Sequence, residues 1–265
     1  KPGRIFDCGP FYLENKAAVL DFDIDKKNDR LLAALCDDAV INIWKLPDGG
    51  LKSNLLQSDL RIPVSNERST ILKFHPCASD VLSTAGTDGA LRIWDINKGS
   101  CLITCNLKNP SSFLSTGWNE IGSLVCSVSS DKKINIFDPR SSSSPIITSD
   151  GFQGSGSGRI IYADENQVFI SGFTPLGNRI IGLKDTRKDN DFIVTINLNN
   201  APSVLIPQYD IDTKVVYLSG KGELSILPFE IRNDSVGLFQ LPKYQAVDSH
   251  MVNEAWHYFN RLFVF

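Results

Sequence analysis

The chain has 265 residues, of which 42% are hydrophobic and 22% charged, with a net charge of −3. That balance excludes an intrinsically disordered chain, and no apolar run approaches the roughly 18–20 residues that a spanning helix needs. Mild net acidity also argues against nucleic-acid binding by bulk charge.

Taken from the N-terminus, Lys1-Pro2-Gly3-Arg4 has no apolar stretch behind it that would read as a secretory leader. The first repeat unit, 15–50, carries Leu-Ala-Ala-Leu-Cys36, an Asp37-Asp38 turn and the alternating run Val40-Ile41-Asn42-Ile43-Trp44. Alternation of this kind is strand-like, with Val40, Asn42 and Trp44 on one face and Ile41, Ile43 and Lys45 on the other. The Pro47-Asp48-Gly49-Gly50 turn closes the unit. The second unit, 66–100, repeats the arrangement with Phe74, Asp88-Gly89 and Leu91-Arg92-Ile93-Trp94-Asp95. The third, 109–140, does so with Trp118, Asp131 and Ile134-Asn135-Ile136-Phe137-Asp138. Fainter copies run over 156–187, where Lys184 takes the aromatic's place, and over 200–230, where Glu223 precedes Phe229; a partial unit occupies 236–265. In the clear copies an Asp stands six residues before the aromatic, and these markers are separated by 50 and 43 residues. That period is the length of a four-stranded propeller blade. The expected fold is therefore all-β, a single WD40-like β-propeller domain over 1–265.

The six cysteines sit singly, most of them in or beside apolar runs, where cysteine acts as a small buried hydrophobe. Cys101 and Cys105 have no second Cys or His pair at zinc spacing. Neither metal nor disulfide framework is expected, and a reducing, cytoplasmic setting is. Other candidate chemistry is equally thin. His75 sits where a strand ends in a turn, and His250 and His257 have no partnered nucleophile. Gly154-Ser155-Gly156-Ser157-Gly158-Arg159 lacks the helix N-terminus that a phosphate cradle uses. Ser219-Gly220-Lys221-Gly222 has Gly where a P-loop needs Ser or Thr. Asp37 and Asp38 have no matching acidic pair for glycosidase chemistry. No catalytic site, metal or cofactor is expected, and the chain reads as a non-enzyme. The candidate binding residues are basic turn residues: Lys132, Lys133, Arg140, Arg187 and Lys221. In a closed toroid they are expected to gather on one face and offer a positive patch to an acidic polymer.

Several segments resemble the coronin family. Ala18-Val19-Leu20-Asp21-Phe22 and Ile43-Trp44-Lys45-Leu46-Pro47-Asp48-Gly49-Gly50-Leu51 are similar to coronin connecting segments, and Asp131-Lys132-Lys133-Ile134-Asn135-Ile136-Phe137-Asp138-Pro139-Arg140 resembles their third full repeat. Ser171-Gly172-Phe173, Lys184-Asp185-Thr186-Arg187, Val216-Tyr217-Leu218-Ser219-Gly220-Lys221-Gly222 and Leu241-Pro242-Lys243 follow in coronin order. Lys1-Pro2-Gly3-Arg4 and Ala201-Pro202-Ser203-Val204-Leu205 look most like the second propeller of the long tandem coronins. The resemblance implies filamentous actin as partner, with the actin-branching machinery or trafficking adaptors as further ones. It implies a cytoplasmic, cytoskeletal location, with Golgi or vesicle association for the tandem type, and no membrane insertion. Capture of adaptors or peptides without direct actin binding is the alternative.

Coronin propellers have seven blades, so the first blade and parts of the last ones are expected to be missing from these 265 residues. The sequence also departs from the WD pattern. The His that precedes the first strand of a WD repeat is absent, with Asn15-Lys16, Asn66-Glu67 and Asn109-Pro110 in its place. Only Thr84, Asp88 and Trp94 keep three members of the buried hydrogen-bonded set. Each incomplete set is expected to leave a polar group in need of another partner.

Overall fold

Strand formation follows the alternation of β-branched and aromatic residues, and sheet order follows the short turns between them. The computed structural model describes residues 11–64, 69–155, 157–188, 191–220, 222–232, 234 and 237–245. Lys1 to Arg4, Cys8, Asn66, Glu67, Gly156, Lys221, His250 and His257 lie outside the described residues. Among the described residues there are strands and no helix.

The strands form five sheets, each with its strands in chain order. The first contains β1 (Val19–Ile24), β2 (Leu31–Cys36), β3 (Val40–Lys45) and β4 (Leu60–Pro63). The second contains β5 (Ser69–Phe74), β6 (Val81–Gly86), β7 (Ala90–Asp95) and β8 (Ser100–Asn106). The third contains β9 (Phe113–Trp118), β10 (Val125–Ser129), β11 (Lys133–Phe137) and β12 (Ile147–Asp150). The fourth contains β13 (Arg159–Asp164), β14 (Gln167–Phe173), β15 (Arg179–Asp185) and β16 (Phe192–Asn197). The fifth contains β17 (Leu205–Asp210), β18 (Val215–Gly220), β19 (Ser225–Ile231) and β20 (Leu238–Gln240), with β21 (Tyr244–Gln245) also paired to β19. These are antiparallel four-stranded sheets of the WD40 blade type. β20 and β21 belong to the fifth sheet, so the described part of the stretch 236–265 adds to blade five. Outer strands alternate exposed and half-buried residues, as Phe192–Asn197 does, so their apolar signal is the weakest of the four.

The chain divides into two compact units. The first holds blades one and two with the connections Ile121–Ser123 and Phe137–Pro145; the second holds the rest of blade three with blades four and five. In the first unit, Leu35, Ile41 and Ile62 from blade one pack with Leu72, Leu82 and Trp94 from blade two. In the second, Val128 and Ile136 pack with Ile160 and Val168, and Phe169 and Leu183 pack with Val216 and Phe229. Full burial of one such side chain contributes about 1.5–3 kcal/mol.

Hydrogen bonds also link neighbouring first strands. Asp21 and Asp23 of β1 accept from the backbone N–H of Leu72 (2.8 Å) and Phe74 (2.9 Å) in β5. Burial pushes the Asp21 carboxyl above its usual range, against the opposing pull of Lys73 and the Leu72 N–H. In the second unit, the Ser115 hydroxyl accepts from the Ile160 N–H at 3.2 Å. Ser171 donates to the Leu205 carbonyl at 2.6 Å.

Candidate functional site

The repeat acid and the third-strand aromatic organise each blade, and every blade completes the set differently. In blade two the Trp94 indole N–H donates to Thr84 Oγ1 at 2.9 Å, while Asp88 pairs with Arg92. Blade one has the same register, with Ala34 opposite Asn42 and Leu32 opposite Trp44, so Ala34 occupies the place of Thr84. Alanine cannot accept a hydrogen bond, and the buried Trp44 indole nitrogen has no partner. Asn42 instead joins a separate cluster, donating to Asn15 at 2.9 Å and to the Cys36 sulfur at 3.3 Å. The acid Asp38 turns outward to Arg61 at 3.2 Å. In blade three Phe137 needs no partner, and Ser127 donates to the Asn135 carbonyl. There Asp131 accepts from Ser129 at 2.6 Å. In blade four the buried Lys184 stands in the aromatic position, with its ammonium 5.4 Å from the Phe192 ring centre.

Glu223, the acid of blade five, belongs to a network that sequence reasoning missed. Arg179 is only 1% exposed and pairs with Glu223. Its Nε donates to Asn199 at 2.9 Å, and its Nη1 to Ser203 at 3.4 Å. A Cβ at Gly220 would lie 2.6 Å from the Glu223 carboxyl, so glycine leaves the carboxylate its room. The available signal was a lone arginine at the head of the apolar run Ile180-Ile181-Gly182-Leu183. A charge in such a place is buried only when paired.

The basic candidates of blade three fall at both ends of β11. Lys132 lies on the turn before it and Lys133 is its first residue, whereas Arg140 lies beyond its other end. Arg187 likewise follows the end of β15. Turns before and after a strand fall at its opposite ends, so in blade three the two lysines and Arg140 stand apart along β11. Lys221 lies outside the described residues. The two lysines are engaged: Lys132 Nζ donates to the Gln153 carbonyl at 2.7 Å, and Lys133 pairs with Asp150 at 2.6 Å. Arg187 grips Asp185 through Nε and Nη2 and holds that carboxyl below the usual range, yet its side chain remains 66% exposed. Arg140 is exposed and forms no ion pair among the described residues.

The remaining candidates have structural roles. His75 Nδ1 accepts from the N–H groups of Cys77 (3.1 Å) and Ala78 (2.8 Å), which leaves Nε2 to donate to the Gly122 carbonyl at 2.9 Å. Both ring nitrogens are occupied in the neutral form. Burial, with Arg140 nearby, pulls the imidazole below its ordinary value. In the glycine-serine stretch, Gly154 N–H donates to Phe173, while Arg159 donates to the Leu114 and Gly158 carbonyls. Cys36, Cys105 and Cys126 are buried, whereas Cys77 and Cys101 are exposed.

No protein-family model matches the chain. Coronin-7 of Rattus norvegicus is 31% identical over 253 residues, covering 94% of this chain and 27% of the relative. A coronin-like protein of Schizosaccharomyces pombe is 29% identical over 251 residues, covering 93% of this chain and 41% of the relative. The WD40 domain of Toxoplasma gondii coronin superposes with a TM-score of 0.81 at 23% identity, over 87% of this chain and 60% of that one. The chain has the WD40 propeller fold and is similar in sequence to coronins. It spans about a quarter of the Coronin-7 length, a share that fits one propeller of a tandem coronin. The second of the pair is the one this coronin-like sequence most resembles.

Proposed function

We propose that this domain is a non-enzymatic actin-filament-binding module that contributes to cytoskeletal organisation. The observation that carries the proposal is the likeness to coronins along 94% of the chain. The charge geometry then favours two exposed arginines, one in each compact unit, as separate contacts. Arg140 presents an exposed guanidinium without an ion pair among the described residues, and Arg187 presents one paired with Asp185. Planar guanidinium groups match carboxylates bidentately, which suits the acidic surface of a filament. One exposed ion pair contributes about 0.2–1 kcal/mol, so binding needs several contacts and weakens with salt.

Co-sedimentation with filaments at low and high salt tests this reading. Binding is expected at low salt and should fall at higher salt. Arg140→Glu should weaken it about three- to tenfold, with Lys133→Glu having the smaller effect because Asp150 already compensates that charge. A folded domain that fails to sediment with filaments at low salt overturns the proposal. The scaffold alternative draws on one further observation. Leu13 bridges Leu55 in parallel, beside the exposed Phe11, Tyr12 and Leu56. Capture of adaptor peptides, abolished by Tyr12→Ser and without filament binding, would decide for it.

A further inference from the structure

The connection after β11 reads Asp138-Pro139-Arg140-Ser141-Ser142-Ser143-Ser144-Pro145. Asp138 organises it: its carbonyl accepts from the N–H groups of Ser141 and Ser142 at 3.1 Å, and its carboxylate accepts from the Arg140 N–H at 3.1 Å. This turn holds Arg140 at an exposed tip. The four serines that follow are not equivalent. Ser144 precedes a proline, but it is half-buried, its hydroxyl is 3.2 Å from that of Ser142, and Pro145 is buried. An enzyme that must grip the proline finds it inside the fold. Ser142 is half-buried as well, and its carbonyl accepts from the Cys105 thiol. Ser141 is exposed, but its hydroxyl leans on the Asp138 carbonyl at 3.4 Å and directly follows Arg140. Ser143 is exposed, its hydroxyl has no partner among the described residues, and Arg140 stands three residues before it. The only backbone bond across Ser143 runs from the Asn106 N–H to its carbonyl, at 2.8 Å.

From this arrangement we infer that Ser143 is a phosphorylation site, selected by Arg140 and acting as a charge switch on that arginine. The second half of that statement rests on the filament-binding reading above. An acidic pocket on a kinase takes the exposed guanidinium through charge-assisted, bidentate hydrogen bonds, and this sets the hydroxyl three residues later at the γ-phosphoryl group. A bond forms between Ser143 Oγ and the γ-phosphorus of ATP as the bond from that phosphorus to the β–γ bridging oxygen breaks. ADP leaves, and the hydroxyl proton passes to the base of the kinase. The product carries about −1.5 to −2 charge, three residues from a guanidinium that has no other ion pair. Pairing between them removes the free cation from the proposed filament contact.

The test incubates the purified folded chain with ATP and either a kinase that reads arginine three residues before its acceptor or a proline-directed kinase. Intact-mass and peptide analysis should find one phosphate, on Ser143, with the first enzyme only. Arg140→Ala should slow the transfer at least about tenfold, and Ser143→Ala should abolish it. Phosphate on Ser144 from the proline-directed enzyme, or transfer only after unfolding by urea, overturns the assignment. The phosphorylated chain should then sediment with filaments about three- to tenfold less well than the unmodified one. Stoichiometric modification of Ser143 without that loss overturns the switch. Failure of the unmodified chain to bind filaments overturns the functional reading, while the mass data still judge the site.

Discussion

The unpartnered indole of Trp44 makes a quantitative prediction. Blade two shows the completed arrangement, with Trp94 donating to Thr84 at 2.9 Å, and the strand register places Ala34 where Thr84 stands. Ala34→Ser would supply the missing acceptor. The new hydroxyl also needs an acceptor, and blade three supplies the precedent: Ser127 donates to the carbonyl eight residues later, that of Asn135. The corresponding carbonyl in blade one is that of Asn42. Leaving a buried donor unsatisfied costs about 1–3 kcal/mol, and a typical hydrogen bond contributes about 0.5–1.5 kcal/mol net. After burial of one added oxygen, a gain of about 1 kcal/mol is expected, which raises the midpoint of thermal unfolding by about 2–4 °C. The reciprocal change, Thr84→Ala, orphans Trp94 and should cost about 1–3 kcal/mol. Urea unfolding followed by tryptophan fluorescence and by circular dichroism measures both. The reasoning is refuted if Ala34→Ser leaves stability unchanged or lowers it while Thr84→Ala costs nothing measurable.

Two further outcomes are expected. Because His75 is held neutral, with its folded pKa below the ordinary value of 6.5, its stabilisation is complete above that value and is lost as pH falls through the folded pKa. Thermal midpoints between pH 7.5 and 5 should therefore fall more steeply for the native chain than for His75→Gln; Gly122→Ala, whose Cβ would lie 2.0 Å from the ring, should lose both the slope and about 1–3 kcal/mol. Arg179→Met strands Glu223 partly buried and should destabilise by about 2–3 kcal/mol in urea, whereas Arg179→Met combined with Glu223→Gln should recover part of that loss.

Much of the fold was legible because the signals that carry it are local. Trp44, Trp94 and Phe137 all fall near the end of a third strand, where a period-2 pattern and a turn acid six residues earlier had set them. The outer strands were less legible, since β8 and β16 expose much of their length and carry little apolar periodicity. Of the candidate site, the residues were found but their grouping was not. Order along the chain held the relevant signal: Lys132 and Lys133 stand at the start of β11, while Arg140 and Arg187 follow third strands. Applying strand polarity to those positions separates the two ends without any coordinates.

The sequence by itself determined the blade length, the all-β class and the places where the WD hydrogen-bonded set is incomplete. These depend on spacing within some fifty residues, which a periodic pattern records directly. Only the tertiary structure decided which partners the polar groups took. Leu72 donates to Asp21 across 51 positions, and Arg179 meets Glu223 across 44. Such pairs join different blades, and neither residue's own neighbourhood carries a mark of the other. The physical reason is desolvation: a buried charge or donor must find a partner in three dimensions. Folding supplied one to Glu223 and none to Trp44.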